Sequence, residues 1–500
     1  MNYILTAAEA KYCDNYTITE VGIPSLVLME RAALSCVEEL EKRFDCKEKQ
    51  HVLCVAGRGN NGADALAVAR ILAERGWKTS VYLTEQDKRR TEENRCQKSL
   101  LSRYPVSFVT NLEETEYTII VDGIFGIGFA GELSEEISQL LLFLNTYQAY
   151  KLAIDIPSGV NTDDGSCVLG FQADCTVTFE YLKRGLLLYP GAELAGQVIV
   201  KSIGLYRDCW TNARPGILSI EGHPDYVMPK RRKDGNKGSF GKCLLAVGSD
   251  AYPGAALMSA KACYRSGAGM VKVCSEAGVK SILVPAVPEV LFTLREAFQA
   301  DLSWCDVILV GPGLGKTESS HELLEAAILK SDRPLIIDAD GINLLAEDRR
   351  LLEKLSYMQD RTVVLTPHIM ELVRLLDAVF PEERHSVSQV KKDFICVCDK
   401  LAKKLHIVLV AKDARTYICD EANPGCLNVW GNSGMAVAGS GDLLAGILTA
   451  YMGYGLSAYR ACILAVGTHA KAGDLAAEKY GEAHMLPTDL LEAPLSYNFR

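Results

Sequence analysis

The sequence predicts an α/β protein of two domains, each a doubly wound, mostly parallel sheet covered by helices. Three observations carry that expectation. Short β-rich runs alternate with longer helix-patterned segments along both halves, the order that places a parallel sheet between helical layers. The chain has 500 residues, more than the roughly 250 to 300 at which one hydrophobic core stops growing. The alternation also fades once, between Gly204 and Gly241, in a stretch rich in Pro, Gly and charge. The boundary is therefore placed near residue 220, giving domains at 1–220 and 221–500.

In the first half, Leu26, Met29, Ala33, Val37, Leu40 and Phe44 recur at spacings of three and four behind Pro24 and Ser25, which predicts an amphipathic helix starting there. Strands are predicted at 51–56 (HVLCVA), 78–83 (KTSVYL), 117–121 (YTIIV) and 151–155 (KLAID). In the second half they are predicted at 243–248, 270–274, 306–311, 334–339, 362–367 and 407–411, separated mainly by helical patterns.

Composition narrows the function classes. With 48% hydrophobic and 23% charged residues, the chain has the make-up of ordinary folded domains. A net charge of -10 opposes attraction to phosphate backbones, so no nucleic-acid partner is expected. The densest basic stretch, KRRKDGNK from Lys230 to Lys237, is read as a solvated linker, with charge near a phosphate site as the alternative. Seventeen cysteines are scattered, mostly inside apolar runs, where a free thiol acts as a small hydrophobe in a reducing compartment. Cys396 and Cys398 lack neighbouring His ligands, so no zinc site is expected. No leader pattern and no apolar span of membrane length occurs, so the expectation is a cytoplasmic protein without a membrane partner.

The strand HVLCVA runs into GRGNNGAD and then a helical pattern. Gly57, Gly59 and Gly62 permit tight turns, and the helix start presents unpaired N–H groups to an anion. The loop can cradle phosphate, although it is not the dinucleotide fingerprint, GxGxxG with an acidic residue about 20 positions later, and such a loop can equally be a plain connection. Asn60, Asn61, Asp64, Asp122, Asp155 and Ser158 all follow the carboxyl ends of predicted strands, the edge where open α/β sheets bind ligands. Asn61, Asp122 and Ser158 offer hard oxygen donors suited to an alkali cation. Capping of turns by Asp122 and Asp155 is the alternative.

Late in the second half, NVWGNSGMAVAGSGDLLAGILTAYMGYG places a small-residue turn before a long apolar helix. Gly439 and Gly441 let backbone N–H groups converge where a polyphosphate or developing oxyanion is favoured. Asp442 falls in the first helical turn, as a base or as a simple cap.

The stretches LMERAA, GRGNNGADAL, VDGIFGIGFAGE, AIDIPSGVNTDDG and TFEYLKRGLLLYPGAELAGQVIVKSIGL resemble the Rossmann-like epimerase domain that interconverts the R and S hydrates of NADH and NADPH, over nearly all of residues 1–215. The resemblance implies that Asn60, Asn61, Gly62, Ala63 and Asp64, with Gly126, Ile127, Gly128, Phe129, Ala130, Gly131 and Glu132, hold the dinucleotide. It also implies that Asn61, Asp122 and Ser158 bind potassium and that Asp155 is the acid/base residue; Lys183 is the second polar group to test. The hydrate is a hemiaminal whose carbon loses hydroxide with help from the ring nitrogen, and a carboxyl can protonate the departing oxygen. Ala63 and Ala65 stand where the family reads glycine, which predicts a loop that approaches the ligand less closely.

Residues 226–495, through GSDAYPGAALMSAKACYRSGAGMVKV, DVILVGPGLG, PLIIDADGIN, TPHIMEL and the GSGD turn, resemble the ribokinase-like fold and, more narrowly, the nucleotide-dependent NAD(P)H-hydrate dehydratases. The implied reaction phosphorylates the hydrate's hydroxyl at the expense of ADP or ATP and then expels phosphate. Asp442 is the implied base. Ala255, Gly315 and His368 are implied to contact the hydrate, and Lys412, Asp413, Ala414, Arg415, Thr416 and Gly441 the adenine nucleotide. Asp338 and Asn343 are placed nearby to assist through magnesium. Met370 and Asp413 replace family glycines, which predicts altered backbone approach and a negative charge near phosphates. A homo-oligomer is expected. A sugar or vitamin kinase beside a non-catalytic binding domain is the competing reading, since fold alone does not identify a substrate.

Overall fold

The computed structural model describes residues 2–45, 47–84, 89–112, 116–211, 215–228, 230–358 and 360–492. Residues 212–214 and 229 of the expected linker, and 493–495 of the second resemblance, lie outside the described residues. The chain forms two compact units, Asn2–Pro215 and Gly216–Arg500. Among the described residues no helix is long and apolar enough to cross a membrane.

The first unit is built on seven parallel strands in the spatial order Val106–Val109, Lys78–Leu83, His51–Ala56, Ile119–Gly123, Tyr150–Ile154, Cys175–Phe179 and Gln197–Lys201. His51–Ala56 reads as a continuous apolar run because helices cover both faces of the sheet there. The order reverses between His51–Ala56 and Ile119–Gly123, so the loops leaving these two strands diverge and open a crevice at their carboxyl ends. The helix expected behind Pro24 spans Ser25–Arg43. The strands expected at 117–121 and 151–155 lie at Ile119–Gly123 and Tyr150–Ile154.

Three strands of this sheet have no counterpart in the sequence reading. Val106–Val109 and Gln197–Lys201 are edge strands with partly exposed side chains. Cys175–Phe179 is fully buried, but its two threonines mask the apolar pattern: Thr176 Oγ1 donates to Ala195 O, and Thr178 Oγ1 to Asp155 Oδ1.

The second unit carries ten strands in the order Ile217–Ser219, Gly425–Leu427, Tyr417–Cys419, Val408–Ala411, Val363–Leu365, Leu335–Ile337, Val307–Val310, Lys242–Ala246, Met270–Ser275 and Leu291–Leu294. Only Tyr417–Cys419 runs antiparallel to its neighbours. Ile217–Ser219 pairs with Gly425–Leu427, so the chain joins the second sheet just before the expected boundary near 220. Helices Pro253–Arg265 and Ser440–Gly453 pack together at Gly446, where a Cβ would strike Ser259 O.

Candidate active sites

In the first unit a cavity of about 730 Å3 opens at the carboxyl edge of the sheet. Gly57 and Gly62 allow the loop after His51–Ala56 to fold there, because a Cβ on Gly57 would strike Ile124 O and one on Gly62 would strike Gly57 O. The helix Asn60–Glu74 then starts against the cavity. Its residues from Gly62 to Ala73 are buried except Asp64, whose side chain faces the cavity.

Of the residues expected to hold the dinucleotide, Asn60, Asn61, Asp64, Gly126, Ile127, Gly128, Phe129, Ala130 and Glu132 line this cavity. Gly62, Ala63 and Gly131 do not. Ala63 and Ala65, the residues expected to hold the loop back from the ligand, are both fully buried, and Ala65 Cβ lies 2.6 Å from where a Cβ on Gly123 would stand. The Ala65 methyl group faces the strand Ile119–Gly123.

Asp155 follows the strand Tyr150–Ile154 with φ 65, a left-handed conformation costly for a residue with a Cβ. Its backbone turn directs the carboxyl into the cavity. Oδ1 accepts from Lys183 Nζ at 2.6 Å, Thr178 Oγ1 at 2.9 Å and the Phe179 amide at 3.3 Å. Lys183 is buried and also donates to Thr178 Oγ1 and Phe179 O. These bonds hold one carboxylate oxygen and leave Oδ2 for a reacting group.

The three expected cation ligands come together around the Phe125 peptide. Asn61 Nδ2 donates to Phe125 O at 2.6 Å, and the Phe125 amide donates to Ser158 Oγ at 2.8 Å. Ser158 Oγ in turn donates to Asp122 Oδ1 at 2.6 Å. Asp122 is wholly buried and accepts otherwise from the Ile124 and Ser158 amides. Burial pushes its carboxyl up to about 6, against the hydrogen bonds from Ser158 and Ile124.

The sequence reading missed Asp14. It lies on helix Ala7–Thr19, whose Ala10, Lys11, Asp14, Asn15 and Ile18 line the cavity at helical spacing. The available signal was Thr6-Ala7-Ala8-Glu9: the Glu9 amide donates to Thr6 Oγ1, and the Thr6 amide to Glu9 Oε2.

In the second unit, Gly439 caps the helix Ser440–Gly453 with φ 101, a conformation that favours glycine. Asp442 sits in the first turn as expected. Lys412 reaches over that turn, with Nζ 3.5 Å from where a Cβ on Gly441 would stand, and donates to Asp338 Oδ1 at 2.6 Å. Thr366 Oγ1 donates to the same oxygen. Burial pushes Asp442 up to about 6, with Asp338 adding, Lys412 opposing and Asp340 adding. Burial acts to lower Lys412, but Asp338, Glu371 and Asp442 outweigh it and hold the ammonium above the usual lysine range.

His368 caps the helix Ile369–Val379: Nδ1 accepts from the Met370 amide, and Nε2 lies 3.1 Å from Glu371 Oε1. It pairs through its backbone with Lys412. Gly315, at φ 76 in open space, donates its amide to Asp340 Oδ2. Ala255 lies beside Gly313. Of the expected nucleotide residues, Ala414 is exposed, Arg415 donates to Val429 O and Thr416 O accepts from the Asn428 amide. Asp413 is paired with Lys391 at 3.3 Å, so part of its charge is compensated. The sequence reading missed His469, which meets Ser440 Oγ at 3.2 Å; burial pushes its imidazole down to about 4, keeping it neutral.

Two family models match, one described as NAD(P)H-hydrate dehydratase over residues 243–494 and one as YjeF-related protein N-terminus over 25–185. The bifunctional NAD(P)H-hydrate repair enzyme Nnr of Moorella thermoacetica is 33% identical over 519 residues, covering 98% of this chain and 95% of that protein. The enzyme of the same description from Coxiella burnetii is 34% identical over 487 residues, with 94% of each chain covered. The chain belongs to the bifunctional NAD(P)H-hydrate repair enzymes. A solved ADP/ATP-dependent NAD(P)H-hydrate dehydratase from Bacillus subtilis, co-crystallized with ATP/Mg2+, is 28% identical and covers 54% of this chain and 94% of its own, with a TM-score of 0.49. Within the family frame, the cavity holding Asp155 belongs to the epimerase half, and the turn holding Asp442 to the dehydratase half.

Proposed function

We propose that the first unit interconverts the R and S hydrates of NADH and NADPH, and that the second dehydrates the S hydrate while consuming ADP or ATP. The observation that carries this reading is the near end-to-end match to bifunctional repair enzymes, which spans both units.

In the epimerase unit, Asp155 exchanges a proton with the hydroxyl on the hemiaminal carbon. Lys183, Thr178 and the Phe179 amide hold Oδ1, so the proton moves at Oδ2. The loop 126–132 and Asn60 to Asp64 hold the dinucleotide. Asn61, Asp122 and Ser158 suit potassium, because among the described residues the buried Asp122 carboxylate is met only by neutral donors from Ile124 and Ser158, a setting that a monovalent cation completes. Bound there, the cation supplies fixed positive charge beside the Asn60 loop.

In the dehydratase unit, Asp442 takes the proton of the hydrate's hydroxyl as phosphate is transferred to it, and the Gly439 and Gly441 amides meet the transferred charge, the expected Ser440 amide between them being held by Val437 O. Loss of phosphate then restores the reduced ring. Lys412 keeps Asp338 paired and adds positive charge beside Asp442. Asp338 and Asn343 do not by themselves fit magnesium: Lys412 occupies Asp338 Oδ1, and Arg374 donates to Asn343 Oδ1. Among the described residues no three His, Cys, Asp or Glu side chains gather as a metal site. Ala255, Gly315 and His368 are assigned to the hydrate, and 412–416 with Gly441 to the nucleotide. The protein is assigned to the cytoplasm as a homo-oligomer, and sedimentation tests the assembly.

The test is to incubate the full chain with mixed R and S hydrates, with and without ADP or ATP, and follow reduced-nicotinamide absorbance and free phosphate. Full nucleotide-dependent recovery is expected. A stable phosphorylated product would identify a kinase instead.

A further inference from the structure

Inversion at a hemiaminal carbon needs proton transfer on both faces of the ring. The departing hydroxyl must be protonated on one face, and the water added on the other must lose a proton. Asp155 serves one position, and its Oδ1 is fully engaged by Lys183, Thr178 and the Phe179 amide. A single carboxyl held so firmly cannot reach both faces.

A second carboxyl enters the same cavity from a different wall. Asp14 comes from the helix Ala7–Thr19, and Asp155 from the end of the strand Tyr150–Ile154. Among the described residues Asp14 has no hydrogen-bond or ion-pair partner, although it is partly buried. The charged groups that share the cavity with it are Lys11 on its own helix, Arg58, Asp64, Glu132, Asp155 and Lys183. Burial, with Asp155 adding and Lys183 opposing, pushes Asp14 up to about 6, where a carboxyl both gives and takes protons near neutrality. Burial, with Asp155 and Asp14 adding, also drives the Asp64 carboxyl well above its ordinary value.

We propose that Asp14 is the second catalytic acid/base residue of the epimerase, serving the ring face that Asp155 does not. This rests on the epimerase reading given above. In one direction a carboxylic acid gives its proton to the hydroxyl, the carbon–oxygen bond breaks, water leaves, and the ring-nitrogen lone pair forms the iminium bond. Water then adds to the other face, returning the electron pair to nitrogen, and its proton passes to the other residue, then a carboxylate. Each turnover therefore exchanges the protonation states of Asp14 and Asp155, and proton exchange with solvent or the reverse reaction restores them.

The test uses the full chain without nucleotide, separated R and S hydrates, and water enriched in oxygen-18, with chromatography and mass spectrometry as readouts. Wild-type protein should introduce one labelled oxygen with each inversion. In Asp14→Asn, inversion should fall at least ~100-fold, the loss expected for a positioned acid/base group. One epimer, the one whose hydroxyl faces Asp155, should still gain label with its configuration kept, because loss and return of water on that face needs only Asp155. Asp155→Asn should show the same for the opposite epimer. Retained exchange also demonstrates a folded, substrate-binding cavity. Wild-type inversion by Asp14→Asn would overturn the proposal, and so would loss of label exchange from both epimers, which is the mark of a role in shape or binding alone. If the wild-type chain inverts neither hydrate, it is the epimerase reading itself that fails.

Discussion

Both units set an aspartate and a lysine at the carboxyl edge of a parallel sheet, but they connect them differently. In the first, Lys183 bonds directly to Asp155, the residue assigned to chemistry. In the second, Lys412 bonds to Asp338, and Asp442 is left to feel both charges from the helix start. The difference follows from where each aspartate lies. Asp155 ends a strand next to Cys175–Phe179, whose Thr178 and Phe179 can anchor it. Asp442 lies in the first turn of a helix, where the Gly439 and Gly441 amides meet an anion in the proposed reading. A tethered carboxyl suits proton exchange at one fixed point, whereas an untethered one beside converging amides suits removal of the proton from a hydroxyl that attacks phosphate.

The largest effect expected from breaking this comparison is in the second unit. Asp442→Asn should leave nucleotide affinity largely intact by calorimetry and cut dehydration by roughly two to four orders of magnitude, the usual contribution of a positioned base. Unchanged turnover would remove Asp442 from the chemistry.

Next come the two lysines. Removing one partner of a buried pair leaves a charge uncompensated, at a cost of about 3–5 kcal/mol. Lys412→Met should approach that loss, because the Asp338 side chain is 2% exposed, whereas Lys183→Met should cost less, because that of Asp155 is 14% exposed. Urea unfolding followed for each unit checks the order, and equal losses would show that the two pairings are equivalent.

A smaller effect concerns pH. Asp442 is raised from 3.8 to about 6 in the folded protein, so folding favours its protonated form, and the associated stability is present below about pH 4 and lost as pH rises through about 6. Asp442→Asn should therefore melt higher than wild type at pH 7, with the difference shrinking toward pH 4. A base with this value also requires dehydratase activity to fall as pH drops below about 6. The least expected effect is on the cation: Asn61→Ala or Asp122→Asn should weaken the potassium response of epimerisation and leave dehydration unchanged.

Much of this was legible in the sequence, for physical reasons that can be named. His51–Ala56 and the helix Ser25–Arg43 appear because burial on both faces, or on one stripe, writes a pattern into the chain. Asp155, Asp442 and the Asn61, Asp122 and Ser158 group stood out because they follow strands or open a helix. Cys175–Phe179 escaped because its buried threonines are satisfied by distant partners, Ala195 and Asp155, that no local pattern reveals. Asp14 escaped for the same reason: its helix is announced by Thr6 and Glu9, but that its face meets Asp155 is a product of folding. The Lys412–Asp338 bond spans 74 residues of sequence and was likewise invisible.

The account's central claim is that one chain carries two chemistries, each run by its own aspartate. The most direct test measures both activities in both full-length variants, Asp155→Asn and Asp442→Asn: interconversion of the separated hydrates without nucleotide, and nucleotide-dependent recovery of reduced dinucleotide from the S hydrate. Asp155→Asn should lose interconversion and keep recovery, and Asp442→Asn should do the reverse. A variant that loses both activities, or neither, would contradict the claim.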